Sequence, residues 1–336
     1  MMRINWINIY STLLQIRKAQ DDDTVKYIVT GGAGFIGSHI AEILVKRGDE
    51  VTIIDNFFSG KKENIIPFLI GKKSVFIEGS ITNLPLLKRC FSGADGIFHQ
   101  AAIASVPRSI KNPAATNEAN VTGTLNVLIA ARDCGIKKVV FASSSSVYGD
   151  TPNLPKHEDM KPAPLSPYAV SKLAGEHYLQ AFHYVYGMQT ISLRYFNVFG
   201  PRQDPKSEYA AVIPKFITAV LAGKPITVFG DGEQTRDFTY VKDIVNANIH
   251  AMESNAQGVF NIACNRRISV NDLAALVMEI TGKTVPVRHE PPRAGDVRDS
   301  LADISRAEKA FGYSPGYTVR EGLEETIAWY RQQNLC

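Results

Sequence analysis

The segment Thr30-Gly31-Gly32-Ala33-Gly34-Phe35-Ile36-Gly37 constrains this chain more than any other feature. It follows a β-branched run, Lys26 to Thr30, and opens a helical pattern, Phe35 to Arg47. Glycines at this spacing let the chain turn tightly at Gly31, approach a pyrophosphate closely at Gly34 and pack the helix tightly at Gly37. The helix N-terminus, at Phe35 and Ile36, then offers unpaired N–H groups and a partial positive charge to phosphates. These residues set the expectation of a dinucleotide-binding α/β fold.

The rest of the chain continues that rhythm. Glu50 to Ile54, Ser74 to Glu78, Gly96 to Gln100, Lys138 to Ser143 and Thr190 to Tyr195 have strand character, separated by helix-like sequence. Alternating strands and helices predict a parallel sheet with right-handed crossovers, covered on both faces. The run Val139 to Ala142 is nearly all apolar, as a centrally buried strand should be. After Asn197, Gly and Pro become frequent and the rhythm breaks up. The expected architecture is a Rossmann-type doubly wound parallel sheet over 26–196, with a segment near 233–262 returning to it. A smaller mixed α/β substrate domain would fill 197–336. Residues 1–25 read as an N-terminal extension, a short added helix or an ordered tail. The mildly apolar stretch Trp6 to Ile16 is interrupted by polar residues and runs into Asp21-Asp22-Asp23, unlike a signal peptide.

Charge and cysteine usage narrow the partners. The formal net charge is +4, with no dense Lys/Arg block, which argues against nucleic acid. Cys90, Cys134, Cys264 and Cys336 lie far apart with no CxxC spacing, which argues against a disulfide framework or a metal site and fits a reducing cytoplasm. No apolar run approaches the roughly 20 residues needed to span a membrane.

Asp55 ends the second strand, where a carboxylate binds the adenosine ribose hydroxyls and repels a 2′-phosphate. NAD is therefore expected over NADP, against which stand only Lys61 and Lys62 in the next loop. Tyr168 and Lys172 lie four apart, on one face of a helix whose first turn Pro167 suits. An ammonium and a nicotinamide cation together would pull the phenol from about 10 toward neutrality. Upstream, Phe141-Ala142-Ser143-Ser144-Ser145-Ser146-Val147-Tyr148-Gly149 places hydroxyls at the C-terminal end of a buried strand, where open α/β sheets bind ligands. For a diphosphate, guanidinium forks are the natural partners, and Arg236 and Arg298 are the candidates.

The Gly31 motif, Ser144, Tyr168 and Lys172 together resemble the extended short-chain dehydrogenase/reductase family. Phe98-His99-Gln100-Ala101-Ala102, Asn120 to Thr124 and Leu193 to Gly200 resemble its UDP-sugar 4-epimerases. Ser105 to Ser109, Arg202 to Pro205, Tyr209 to Pro214 and Gly295 to Asp303 look closest to the UDP-N-acetylglucosamine 4-epimerase group. The resemblance implies Tyr168 as base for the sugar 4-hydroxyl, Lys172 lowering its pKa and binding the nicotinamide ribose, and Ser144 bridging substrate and Tyr. It implies an NAD site formed by Gly31, Gly34, Phe35, Ile36, Gly37, Asp55, Asn56, Ser59, Gly60, Ser80, Ile81, Gln100, Ala101, Ala102, Asn120, Tyr168, Lys172 and Tyr195. The UDP-sugar would meet Ser105, Ser144, Ser145, Tyr168, Asn197, Gln203, Ala211, Val212, Phe216, Arg236, Arg298 and Ser300.

Two positions depart from or refine the family pattern. Ser80 stands where the family usually has an Asp contacting the adenine. Ser300 is small where an aromatic would restrict the pocket to plain glucose and galactose, so an N-acetyl group is expected to fit. The implied reaction is C4 epimerisation of UDP-GlcNAc/UDP-GalNAc, with UDP-Glc/UDP-Gal as a second pair. A UDP-glucuronate 4-epimerase, with Arg202 for the carboxylate, remains an alternative. So does a 4,6-dehydratase, although Ser145-Ser146 replace its usual Asp-Glu. A non-catalytic NAD-binding regulator is the alternative of a different class. By the same resemblance, Ala114 to Cys134 and Tyr168 to Tyr186 would pair across a homodimer.

Overall fold

The computed structural model describes residues 24–69, 73–205, 211–292 and 298–333. Most of the expected N-terminal extension lies outside the described residues, as do Tyr209, Ala210, Gly295, Asp296, Val297 and Cys336.

In chain order the first half contains β1 (Lys26–Thr30), α1 (Phe35–Arg47), β2 (Glu50–Asp55), β3 (Ser74–Glu78), α2 (Leu84–Phe91) and β4 (Gly96–His99). Next come α3 (Val106–Lys111), α4 (Pro113–Asn117), a π turn (Glu118–Thr122), α5 (Gly123–Asp133), β5 (Lys138–Ser144), α6 (Pro167–Tyr186) and β6 (Gln189–Tyr195). The second half contains β7 (Val198–Phe199), α7 (Val212–Leu221), β8 (Ile226–Phe229), β9 (Thr235–Arg236), β10 (Thr239–Tyr240), α8 (Val241–Glu253) and β11 (Gly258–Ile262). It ends with β12 (Ile268–Ser269), α9 (Val270–Thr281), β13 (Val287–Glu290), α10 (Ser305–Phe311) and α11 (Val319–Gln332).

Seven strands form one parallel sheet in the order β3-β2-β1-β4-β5-β6-β11. The chain winds outward from β1 to β3 and then returns to lay β4 beside β1, with Thr30 opposite His99. At that reversal the crossovers leave to opposite faces, which opens a crevice beyond the strand ends. The β5 residues are buried from Lys138 to Ser143, so the alternation of a one-sided strand is absent, as the sequence predicts.

Apolar cores fill both faces of the sheet. One lies under α1 and α8 and includes Val29, Ile40, Leu44, Ile53 and Ile244; the other lies under α2, α5 and α6 and includes Ile97, Leu87, Val127 and Phe141. A further core, with Phe199, Phe216, Ile217, Leu273 and Tyr330, belongs to the irregular C-terminal part. His99 ties the switch point together, with Nδ1 2.7 Å from Thr30 Oγ1 and Nε2 2.9 Å from Thr124 Oγ1. Burial, then the Lys172 charge, pushes its pKa down to about 3, so it serves as a neutral bridge. Among the described residues, no helix is long and apolar enough to cross a membrane.

Candidate active site

The crevice at the switch point gathers most of the sequence-predicted cofactor residues. Its walls are the Gly31–Gly37 turn, the end of β2 with Asp55, Asn56 and Ser59, and Ser80 with Ile81. Gln100, Ala101, Ala102, Tyr168, Lys172 and Tyr195 complete them. The cradle requires glycine at its base. Gly31 holds φ +66, and a Cβ there would lie 2.6 Å from the Ala101 backbone nitrogen. Gly60 is constrained differently: a Cβ would sit 2.8 Å from both Asp55 carboxylate oxygens. The loop can therefore close over Asp55 only without a side chain.

Asp55 is buried and oriented by its own turn. Its Oδ2 accepts from Ala33 N at 3.0 Å and its Oδ1 from Phe57 N at 2.8 Å. Burial raises its pKa above the usual carboxylate value, and these backbone N–H groups pull the other way. Lys61 and Lys62 do not attend it. Lys61 Nζ pairs with Asp204 at 3.1 Å, and Lys62 Nζ lies 5.4 Å over the Phe57 ring. With both cations engaged elsewhere, the crevice fits a dinucleotide whose adenosine ribose carries no 2′-phosphate. Ser80 lines the crevice, but its hydroxyl is 2.8 Å from Thr82 Oγ1 and accepts from Thr82 N at 3.2 Å, a local turn.

The reactive group stands at the other end. Ser166 caps α6, accepting from Ala169 N at 3.2 Å, and this fixes Tyr168 in the first turn. Lys172, one turn on, is buried. Its Nζ donates to Ala142 O at 2.7 Å and lies 4.9 Å over the Phe141 ring and 5.9 Å over the Tyr168 ring. Ser144 ends β5, half-buried, with Oγ accepting from Ser146 N at 3.2 Å and from Ser146 Oγ at 2.9 Å. Burial raises the Tyr168 pKa, and the Ser144 hydroxyl works against that rise. Burial also pushes Lys172 down to about 7. The expectation of a phenol pulled toward neutrality joins the lysine to a nicotinamide cation; in the chain without NAD, burial raises the Tyr168 pKa. Lys172 is held by a neutral carbonyl, and desolvation acts on both groups.

Other predicted residues are placed in different roles. The Asn120 amide is hydrogen-bonded within the chain: Nδ2 donates to Ile103 O at 3.2 Å and Ser171 Oγ at 2.9 Å, while Oδ1 accepts from Ile103 N at 2.7 Å. It staples the π turn to α6 and to the loop after β4. Phe216 is 2% exposed and packs in the C-terminal core. The Arg298 guanidinium is spent on an exposed bidentate pair with Asp231, both contacts at 3.0 Å. Ser105 caps α3 by accepting from Arg108 N at 3.3 Å, and Ser145 opens the short turn after β5. Ala211 precedes α7 and Val212 opens it.

Asn197, Ser300 and Arg236 do come together. Asn197 Nδ2 donates to Ser300 Oγ at 3.3 Å and to Asp237 O at 3.0 Å, Ser300 N donates to Thr235 O at 3.1 Å, and Arg236 Nη1 donates to Thr235 O at 2.9 Å. Gln203 is tied back by Nε2 to Val198 O at 3.1 Å. Arg202, the candidate for a uronate carboxylate, is engaged by Glu42 and Ser38 on α1.

Sequence reasoning missed two supporting networks. Gln100 Nε2 donates to both Tyr195 OH and Asn248 Oδ1 at 3.1 Å, and Asn248 Nδ2 donates to Tyr195 OH at 2.8 Å. Asn248 comes from α8, and nothing local in the sequence marks it. Glu176 had a signal: Tyr168, Lys172 and Glu176 follow one another at four-residue steps on one helix face. Its carboxylate accepts from Arg194 Nε at 2.9 Å and Nη2 at 2.7 Å, and also from Ser143 Oγ. Both partners are nearly inaccessible, 4% and 3% exposed. Burial works against the Arg194 charge and Glu176 more than offsets it, so the guanidinium pKa lies above its usual value. The pair locks α6 onto β5 and β6 behind the reactive tyrosine.

Comparison with known proteins agrees with this geometry. Residues 27–263 match the NAD dependent epimerase/dehydratase family. A UDP-glucose 4-epimerase of Mycolicibacterium smegmatis is 37% identical over 314 residues, 92% of this chain and 100% of the relative. A structure of UDP-N-acetylglucosamine 4-epimerase from Methanobrevibacter ruminantium, in complex with UDP-N-acetylmuramic acid, superposes with TM-score 0.89. It is 43% identical over 92% of this chain and 99% of that one. A Thermus thermophilus UDP-glucose 4-epimerase solved with NAD superposes with TM-score 0.83 at 38% identity, covering 91% and 99%. With the glycine cradle, Asp55 and the Tyr168–Lys172 helix in place, the chain belongs to the NAD-dependent epimerase/dehydratase family, among its UDP-sugar 4-epimerases.

Proposed function

We propose that the enzyme interconverts UDP-GlcNAc and UDP-GalNAc, with UDP-glucose and UDP-galactose as a second pair. The observation that carries the substrate reading is Ser300: a small side chain hydrogen-bonded to Asn197 and adjoining Arg236, at the position expected beside the sugar's 2-substituent. Bound NAD supplies the acceptor for the C4 hydride and afterwards its donor. The chain's residues do the rest. Tyr168 takes the proton of the sugar 4-hydroxyl and later returns one, Ser144 bridges phenol and hydroxyl, and Lys172 adds positive charge beside the phenolate. Arg236 holds the diphosphate while the 4-keto sugar turns about it.

The competing reactions lack groups. Dehydration needs an acid and a base beside the reacting sugar, and Ser145 and Ser146, which follow β5 next to Ser144, supply hydroxyls there instead of the Asp-Glu of the dehydratase pattern. Arg202, engaged by Glu42, is not presented as a uronate partner. A regulator would have no use for an intact Tyr168–Lys172 pair.

The test is to incubate purified protein, without added cofactor, with UDP-GlcNAc and separately with UDP-glucose, and to follow products by NMR. Appearance of UDP-GalNAc supports the whole reading. Conversion of UDP-glucose alone sinks the Ser300 argument, and inertness toward both after NAD is supplied sinks epimerisation of these pairs. A homodimer through Ala114 to Cys134 and Tyr168 to Tyr186 belongs to the same proposal, since the α6 surface exposes Val170, Tyr184 and Val185. A monomeric mass by light scattering would remove it.

A further inference from the structure

The short segment from Pro201 to Asp204 ties together α1 and the loop after β2, two elements whose other residues line the adenosine and pyrophosphate end of the nucleotide crevice. On one side it meets α1, one turn beyond the glycine cradle. Arg202 Nη2 donates to Glu42 Oε2, Arg202 Nη1 donates to Ser38 Oγ at 3.3 Å, and His39 Nε2 bonds Pro201 O at 3.0 Å. On the other side Asp204 pairs at 3.1 Å with Lys61, the residue after Gly60 in the loop that closes over Asp55. The segment is anchored to the C-terminal part from behind, by Tyr330 OH donating to Gln203 O at 2.5 Å and Gln203 Nε2 to Val198 O.

Four details show that this bridge is built rather than incidental. The Arg202 and Glu42 side chains are only 14% and 20% exposed, so their charges are shielded from solvent. Lys46 holds the same Glu42 at 2.6 Å, fixing the carboxylate for its partner. Arg202 also keeps a left-handed backbone, φ +67, which a side chain-bearing residue adopts at a cost and retains only when its surroundings hold it there. His39, kept neutral by burial and then by the Arg202 charge, serves as an uncharged donor to the Pro201 carbonyl.

We propose that Pro201–Asp204 is a clasp that retains the dinucleotide between turnovers, with Arg202–Glu42 as its main contact and Lys61–Asp204 as its second. A reaction that withdraws a hydride and gives it back requires the same cofactor to stay through both halves. The clasp's purpose rests on the epimerase reading; its existence rests on the contacts alone. The dinucleotide leaves when the segment lifts from α1 and from the Asp55 loop, so the rate of loss follows the strength of those contacts.

The experiment compares wild type with Arg202→Gln, Glu42→Gln, the double variant and Lys61→Gln. Nucleotide released on denaturation is measured after prolonged gel filtration, and NADH dissociation is followed by fluorescence on chasing with excess NAD. Arg202→Gln and Glu42→Gln should each speed loss by about tenfold or more, the scale of one charge-assisted hydrogen bond. The double variant should be no faster than the single ones. Lys61→Gln should speed loss about twofold, an effect that disappears in high salt. Unchanged retention overturns the proposal. So do additive effects in the double variant, or losses that appear only in step with loss of folded protein. No substrate is present, so the result stands apart from whether epimerisation is observed.

Discussion

Replacing Glu176 with alanine strips the buried Arg194 guanidinium of its counter-charge. Two hydrogen bonds, at 2.9 and 2.7 Å, vanish, together with the acceptor for Ser143 Oγ. Arg194 is 3% exposed and lies 4.6 Å over the Tyr148 ring, so its charge would be left shielded from water. Breaking a buried pair from one side costs about 3–5 kcal/mol, a large part of the roughly 5–15 kcal/mol that holds a domain folded. Glu176→Gln keeps an acceptor and should lose less, about 1.5–3 kcal/mol. The double variant Glu176→Leu with Arg194→Met removes both charges and should recover most of the loss. The assay is urea denaturation of NAD-saturated protein, with kcat measured alongside. Because Glu176 lies two turns beyond Tyr168 and its carboxylate fixes the neighbour of Ser144, kcat should fall while KM changes little. An alanine variant within about 1 kcal/mol of wild type, with unchanged kcat, would refute the claim that this pair seats the catalytic helix.

Tyr168→Phe should lower turnover by about 10²–10⁴ while nucleotide content stays the same; retained activity, read by NMR, would remove Tyr168 as the base. For Lys172, burial pushes the folded pKa down to about 7 from the ordinary lysine value of 10.5. Below pH 7 the folded nucleotide-free chain bears the buried charge in full, and above 10.5 neither state does, so this group makes stability rise with pH between those values. Lys172→Met should flatten that rise in urea titrations at pH 6.5 and pH 9, and an identical pH dependence would contradict the assignment. Ser300→Tyr should abolish turnover of the N-acetylated pair and spare the plain pair; loss of both, or of neither, counts against the pocket argument.

The sequence made the frame of the fold legible because its signals are local. β1, α1 and β3 begin and end where the β-branched runs and glycines place them. The glycine cradle, Asp55 and the Tyr168–Lys172 step could be found because each is written within a few residues. What escaped depends on distant partners. Asn248 reaches Tyr195 and Gln100 from α8, and Arg194 meets Glu176 only once β6 lies beside β5. The partners of the Asn120 amide, Ile103 and Ser171, are hidden for the same reason, since no spacing reveals them. Charge marks Arg298 as a diphosphate candidate but not its partner in this structure, the Asp231 carboxylate. The electrostatics of Tyr168 and Lys172 depend on burial, which a one-dimensional pattern does not report.

The central claim is that one resident cofactor takes the C4 hydride and returns it to the same sugar. Its most direct test is turnover of UDP-GlcNAc, and separately UDP-glucose, deuterated at C4, with no added NAD. The account predicts inverted product that keeps its deuterium at C4, with no NADH released. Wash-out of deuterium into solvent, or accumulation of free NADH, would contradict it.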